Sequence, residues 1–246
     1  LFMAFADSPQ GGGDEEIPDL MGSASSRLHK AKDKEFQDFM AVPADVSQLM
    51  ERITSEINLQ VALTKVVQKK GAPGVDGWSV KEVEQDHATL VPQLRRELLA
   101  GHYRPGDVRR VWLPKPGGGQ RGLGIPNVID RWVQQAILQV LEPIFDPTFH
   151  DSSHGFRRGR GAQRAIAQAR EHLQAGLTTV VDIDLAKFFD RVNHQRLLAK
   201  LSEKIRDPRV LELIGRMLKA RVVMPDGTKV VTDEGTPQGG PLSPLL

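Results

Sequence analysis

Two acids one residue apart carry the first chemical signal in this chain. The stretch "VVDIDLAKFFDRVNH", residues 180–194, is an apolar run of strand type that holds Asp182 and Asp184 and then breaks into a Phe-Phe-Asp turn. Alternate side chains of a strand share a face, so the two carboxylates would project together beside Val180. A carboxylate taken out of water needs a partner. An arginine for one acid and a turn cap for the other would satisfy both. So would Mg²⁺, a hard cation that takes one or two carboxylates together with substrate phosphates. Asp-x-Asp pairs also serve nucleotide-sugar glycosyltransferases, so the pair alone leaves the reaction open.

Two other stretches could act on an anionic substrate, and a third stands out as a glycine-proline loop. "KPGGGQR" sets Lys115 and Arg121 on either side of a glycine tip, where cations and approachable backbone N–H groups suit a triphosphate. The plain alternative is a solvated hairpin with two surface cations. "RRGRGAQR" holds Arg157, Arg158, Arg160 and Arg164 with no acid among them. Such a cluster can track a phosphate backbone with steep salt dependence, or simply be an exposed helix entry. His154 lies nearby, and stacking or hydrogen bonding suits it better than metal binding. "TPQGGP" puts Gln238, Gly239 and Gly240 on a loop entering a helix, which could also be only a tight turn.

The elements that must carry these residues follow from periodicity and punctuation. Ser47 opens a helix with Met50, Ile53, Ile57 and Val61 on one face, stopped by Gly71. "GAPGVDGWS" is a loop, and Ser79 with Glu82 forms a capping box. A helix runs from about Leu90 to Gly101. Residues 107–126 read as strand, glycine hairpin, strand. A long helix from about Asp130 buries Val133, Ile137, Leu141 and Ile144. Ala162–Gln174 is helical, residues 180–184 form a strand, and Asn193 and Asp207-Pro208 start two further helices. Asp226-Gly227 turns a hairpin. Mixed strands, hairpins and helices specify an α+β fold.

The bulk properties agree with a globular protein that binds an anion. Of 246 residues, 39% are apolar and 26% charged, with a formal net charge of +2. Residues 1–45 hold nine acids against four bases, so the remainder is basic. That acidic, glycine- and serine-rich start is expected to be disordered. The absence of cysteine excludes disulfides and thiolate zinc sites and fits a reducing, cytoplasmic setting. No apolar run approaches the roughly 20 residues of a membrane helix. The opening Leu and the closing "PLSPLL" suggest a piece of a longer reading frame.

D-L-A-K-F-F-D from Asp184 resembles motif A of reverse transcriptases. "GTPQGGPLSPLL" resembles motif B of the group II intron reverse transcriptase/maturase family. "RRVWLPKPGGGQRGLGIPNVIDRWVQQAILQVLEPIFDPTFHDSSHGFRRGR" is similar to that family's fingers, and "GAPGVDG" to the loop upstream. The likeness spans about residues 70–246 with motif order kept; relatives carry Tyr and Pro where this chain has His154 and Arg158.

The resemblance implies a right-hand polymerase: a disordered extension over 1–45, N-terminal helices and fingers over 46–175, and an incomplete palm over 176–246. It implies an RNA-directed DNA polymerase that uses two Mg²⁺ ions, with intron RNA template, DNA primer and deoxynucleoside triphosphates as partners. Asp184 and the Leu185 carbonyl would be metal ligands. Lys115 and Arg121 would clamp the triphosphate, Phe189 would pack under the incoming sugar, and Gln238 would contact the nucleotide near that sugar. Gly239 and Gly240 would let template and primer approach, and Arg157, Arg158, Arg160 and Arg164 would line the template path. The family's other two carboxylates lie in a Tyr-Ala-Asp-Asp turn, which residues 1–246 do not contain; alone, they are expected not to polymerise. The alternatives are an RNA-binding splicing factor without polymerase activity and a bacterial reverse transcriptase of a defence or diversity-generating system.

Overall fold

The computed structural model describes residues 45–246. The extension expected to be disordered therefore lies outside the described residues, apart from Asp45. The chain divides into two compact units, residues 148–182 and a larger one whose described part is residues 45–147 with 183–246.

The larger unit is built around one helix. In chain order its elements are α1 (Leu49–Ile53), α2 (Glu56–Gln68), α3 (Val80–Gln85), α4 (His87–Leu99), β1 (Val108–Pro114), β2 (Gln120–Ile125) and α5 (Val128–Phe145). The smaller unit contributes α6 (Ala162–Gln174), after which the larger unit resumes with α7 (His194–Ser202), α8 (Pro208–Leu218), β3 (Val222–Val223) and β4 (Lys229–Val230). Along α5, Trp132, Val133, Ala136, Ile137 and Leu141 are wholly buried. This helix is apolar on most of its circumference, as a core helix must be.

Polar groups fix how α2 meets α5. Trp132 donates its indole N–H to the Leu59 carbonyl at 2.7 Å. Asn58 donates to the carbonyls of Ile53 (2.9 Å) and Ala136 (3.0 Å), and Gln139 donates to Asn58 Oδ1 at 2.6 Å. Buried amides of this kind hold one register, because a slip would strand them.

The N-terminal helix differs from its expected form. It is broken at Ser55, an extended residue whose side chain caps α2 by accepting from the Asn58 N–H. The face through Ile57 and Val61 is only half buried, while Asn58, Leu59, Ala62, Leu63 and Val66 face the core. The break rotates the second segment, so a periodicity read straight through it selects the wrong side. Ser47 does not cap α1 either. The Met50 N–H is instead satisfied by Asp207 Oδ2 at 2.9 Å, from 157 residues away.

The sheet runs β2-β1-β3-β4. β1 and β2 form the expected antiparallel hairpin, and β3–β4 the hairpin at Asp226-Gly227. β1 also pairs in parallel with β3, Val108 against Val222. The strand expected at residues 180–184 does not form: residues 177–185 have no ladder partner, and Val180, Val181 and Ile183 are exposed. β-structure requires a neighbour for its N–H and C=O groups, and the described sheet closes without this stretch.

Asp207 caps α8 and joins it to α1. Its carboxylate accepts from Arg209 N, Nε and Nη2 at 3.1, 3.0 and 2.8 Å, and Arg209 reaches on to Glu51 in a two-pronged pair at 2.7 and 2.8 Å. Burial alone would raise the Asp207 pKa, but the bonds from Arg209 and Met50 outweigh it and hold it below the usual value. Asp207→Ala is expected to cost roughly 2 kcal/mol, measured by urea unfolding at pH 7. The loss should shrink as pH falls through the depressed native pKa, because a protonated Asp207 no longer holds Arg209.

Asp130 behaves in the opposite sense. It is buried on α5 and accepts from the Tyr103 hydroxyl at 2.5 Å and the Gly106 N–H at 3.1 Å, with burial raising its pKa to about 6. The native state then holds a proton that the unfolded chain releases near pH 4, so this group favours folding less as pH rises from 4 to 6, by about 3 kcal/mol in all. Asp130→Asn should therefore gain stability relative to wild type across that window. Melting curves at pH 4, 5, 6 and 7 measure the difference.

Candidate active site

Residues 234–240 tie the pieces of the larger unit together. Gly235 has φ +85°, where a side chain is strained, and a Cβ there would stand 2.9 Å from the Asp190 carbonyl oxygen. Its N–H donates to the Val192 carbonyl at 2.8 Å, and the Thr236 N–H donates to the Phe189 carbonyl at 2.8 Å. Asn193 and Glu234 form a bridge, and His194 Nε2 lies 2.6 Å from the Gly235 carbonyl. The turn after Asp184 is thus pinned to the start of the Gln238 loop.

The same loop is fastened to the hairpin on its other side. The Gly124 N–H donates to the Gln238 carbonyl at 2.7 Å. A Cβ on Gly124 would lie 2.9 Å from Val108 Cγ1 and 3.0 Å from Pro237 Cβ. Gly239, at φ +134°, rests on the Gly124 carbonyl, and Gly240 on the Gln134 side chain. Ser243 closes the loop by donating to the Pro237 carbonyl at 2.8 Å. Gly239 and Gly240 are therefore needed by the chain's own packing.

Lys115 and Arg121 sit on the hairpin that this loop grips. The tip is shaped by three glycines with positive φ and by the Lys115 N–H to Gly119 carbonyl bond at 3.0 Å. Both cations are exposed, and neither pairs with an acid among the described residues. Asp184 and Leu185 are exposed in the partnerless stretch. Phe189 is half buried and packs edge-on to Phe188, ring centroids 5.4 Å apart, in a 3₁₀ turn entered through Lys187 in the left-handed conformation. The described residues bring Lys115, Arg121, Phe189 and Gln238 into one unit with Asp184.

The arginine loop belongs to the smaller unit and is largely self-fastened. Arg157 donates to the carbonyls of His150 (2.9 Å) and Ser153 (3.1 Å) and lies over the Phe149 ring. Arg160 bonds the Asp151 carbonyl and its carboxylate, and Arg164 the Gly159 carbonyl at 2.9 Å. Arg158 is exposed. His154 bonds Gln168 at 2.7 Å, as a hydrogen-bonding side chain.

Among the described residues no group of three or more His, Asp or Glu side chains could hold a metal. The donor set nevertheless suits a hard cation in part: Asp184 is exposed and pairs with no cationic side chain among the described residues, so its oxygens would be available to a metal. Sequence reading missed the supports, namely Gly124, His194, Gly235, Thr236 and Ser243. The signal for Gly124 was present, since alternate glycines within a strand mark a close backbone approach.

Residues 113–246 match the family model described as Reverse transcriptase (RNA-dependent DNA polymerase), over half of the chain. The chain belongs to the reverse transcriptase family. That family depends on metal ions for catalysis in general. The chain is 39% identical over 207 residues to Protein YkfC of Escherichia coli K12, covering 82% of this chain and 54% of that protein. It is 34% identical over 172 residues to the group II intron-encoded protein LtrA of Lactococcus lactis subsp. cremoris, covering 70% and 27%. It is 30% identical over 188 residues to a putative COX1/OXI3 intron 1 protein of Saccharomyces cerevisiae, covering 76% and 22%. The likeness to group II intron-encoded proteins expected from the motifs is borne out, and the chain spans about half the length of these relatives or less. A chain of a Cas6-RT-Cas1–Cas2 complex superposes with TM-score 0.53 at 24% identity, over 80% of this chain and 20% of that one. The α+β reverse transcriptase fold is thereby borne out. No described helix is long and apolar enough to cross a membrane.

Gly239→Ala should loosen the grip on the hairpin. It adds a Cβ against the Gly124 carbonyl at a backbone angle that disfavours side chains, a cost of about 1–3 kcal/mol. Hydrogen exchange is the measurement: the Gly124 amide should lose protection while amides in the middle of α5 keep theirs.

Proposed function

We propose that this chain is the fingers and part of the palm of an RNA-directed DNA polymerase encoded by a group II intron. In this reading the parent protein joins deoxynucleotides on an intron RNA template from a DNA primer in the cytoplasm, and also binds and helps fold its intron RNA. What supports the reading is the double fastening of the Gln238 loop, to Phe189 on one side and to Gly124 of β2 on the other. It sets residues from three separated motifs around one hairpin.

The roles follow from charge and exposure. Asp184, with the Leu185 carbonyl, would hold Mg²⁺, two ions being used in the complete enzyme. Bound there, the metal would activate the primer 3′-OH and steady the leaving pyrophosphate. Lys115 and Arg121 offset the charge of the incoming triphosphate from the exposed hairpin. Gln238 orients the nucleotide near its sugar, and Phe189, wedged against Phe188, sets the floor under that sugar and excludes a 2′-OH. Gly239 and Gly240 leave room for the template–primer pair. Arg158, exposed, contacts template RNA, and Arg157, Arg160 and Arg164 hold and charge that loop. The protein's part is mostly positioning and charge stabilisation.

The test is primer extension on an RNA template with Mg²⁺, using the longest natural gene product that contains this chain. Asp184→Asn should reduce cDNA synthesis to background while leaving the melting temperature within a few degrees, because the side chain is exposed. Normal synthesis by that variant would refute the reading. Splicing of the intron RNA by a wild type that extends no primer would instead support an RNA-binding splicing factor.

A further inference from the structure

Helix α4 lines a cavity for which the proposed polymerase chemistry has no use. Leu90, Leu94 and Glu97 fall at i, i+4 and i+7, so they share one face of that helix. Across from it stand Ile129 and Asp130 at the start of α5, Tyr103 in the link to β1, and Asp76 in the upstream glycine loop. That loop is held in place by Asn127 Oδ1, which accepts from the Val75 N–H at 2.9 Å and the Asp76 N–H at 3.3 Å. The cavity measures about 230 Å³. Sites for drug-sized ligands run to roughly 300–1,000 Å³, so this one suits a smaller molecule.

Its wall is part apolar and part anionic. Leu94 is buried, and Leu90 and Ile129 are half buried. Asp130 lies deepest at 3% exposed, Glu97 is half buried, and Asp76 is exposed at the rim. The Tyr103 hydroxyl feels all three acids: burial first, then Asp130, Glu97 and Asp76, hold its pKa well above the usual value. None of these carboxylates forms an ion pair among the described residues. Arg104 also lines the cavity, but its guanidinium donates to the carbonyls of Gly101 and Tyr103 at 2.9 and 3.0 Å. Arg131 attracts Asp76 through space and donates to the Ala72 carbonyl at 2.6 Å. Asp130 is thus a buried carboxylate served by neutral donors, the Tyr103 hydroxyl and the Gly106 N–H. A cation brought to it would relieve that cost.

The shape of the wall selects the cation. A hard metal ion needs several oxygens around one point, and the described residues hold no such cluster. An ammonium on an aliphatic chain meets both halves of the wall, its charge on a carboxylate and its methylenes on the leucines. Acids stand at the rim as well as at the bottom, which provides for a second ammonium. We propose that this cavity binds a short aliphatic diamine, with one ammonium on Asp130, the other on Glu97 and Asp76, and the methylenes against Leu90, Leu94 and Ile129. Such a ligand ties α4, α5 and the glycine loop together. The inference goes beyond the polymerase reading and does not depend on it.

The probe is 1,4-diaminobutane, titrated calorimetrically at pH 8 into the longest natural gene product that contains this chain, freed of nucleic acid. Saturable binding is expected. n-Butylamine carries the single ammonium that a lysine side chain of another protein would offer, and should bind about tenfold more weakly. Asp130→Asn should weaken the diamine about tenfold too, because the buried charge is gone. Leu90→Trp should abolish binding by filling the cavity while every carboxylate stays. Glu97→Gln should weaken the diamine and leave butylamine unchanged. The inference is overturned if the diamine shows no saturable binding, if it binds no more tightly than butylamine, or if any of the three variants binds it within twofold of wild type. Should Asp130→Asn or Leu90→Trp fail to fold, Glu97→Gln, changed at a half-buried helix position, decides alone. Failure of the gene product to extend primers would defeat the proposed polymerase while leaving this titration unaffected.

Discussion

Two backbone hydrogen bonds do the organising here: Thr236 N–H to the Phe189 carbonyl and Gly124 N–H to the Gln238 carbonyl, at 2.8 and 2.7 Å. Both are made by the same short loop, two positions apart in its chain. Neither depends on a side chain, so loop and neighbours can approach only where side chains are absent or small. That requirement explains Gly124, Gly235 and Gly239 together. The loop acts as a staple between a turn and a hairpin that lie far apart in sequence.

Helix α5 supplies the rigid base for that staple. Its buried face is fixed against α2 by Trp132, Asn58 and Gln139, and its N-terminal end takes up the upstream glycine loop through Asn127, whose Oδ1 accepts from the Val75 N–H at 2.9 Å. A Cβ on Gly74 would stand 2.6 Å from Asn127 Cα, so that loop also touches backbone to backbone. Glycine recurs wherever two chain segments meet without intervening side chains, at Gly74 as at Gly124.

Much of this was legible in the residues. The hairpin with its glycine tip, the capping box at Ser79, the Asn193 and Asp207 caps and the long apolar helix all follow from local rules, and the structure has each of them. Two features were not legible. The start of α1 is held by Asp207 from 157 residues away, a contact that no window of sequence contains. The stretch around Asp182 and Asp184 has strand composition, yet strand formation is a property of pairs. For the site, residue types and spacing left Lys115, Arg121 and Gln238 open, and the resemblance to reverse transcriptases singled them out; the glycine and hydroxyl supports that hold the Gln238 loop carried a weaker signal, because their work is done by backbone and by van der Waals fit.

The parallel pairing of β1 with β3 has a consequence for how the molecule comes into being. Val108 meets Val222, so the central strand waits for more than a hundred further residues before its second neighbour exists. On the ribosome the β1–β2 hairpin can form early as a local unit, but the sheet cannot be completed until α8 has been made and has turned the chain back. Contacts of such long span slow assembly and leave an open strand edge on the nascent chain. The basic residues along that hairpin disfavour pairing of the waiting edge with another chain, so their charge guards it during synthesis.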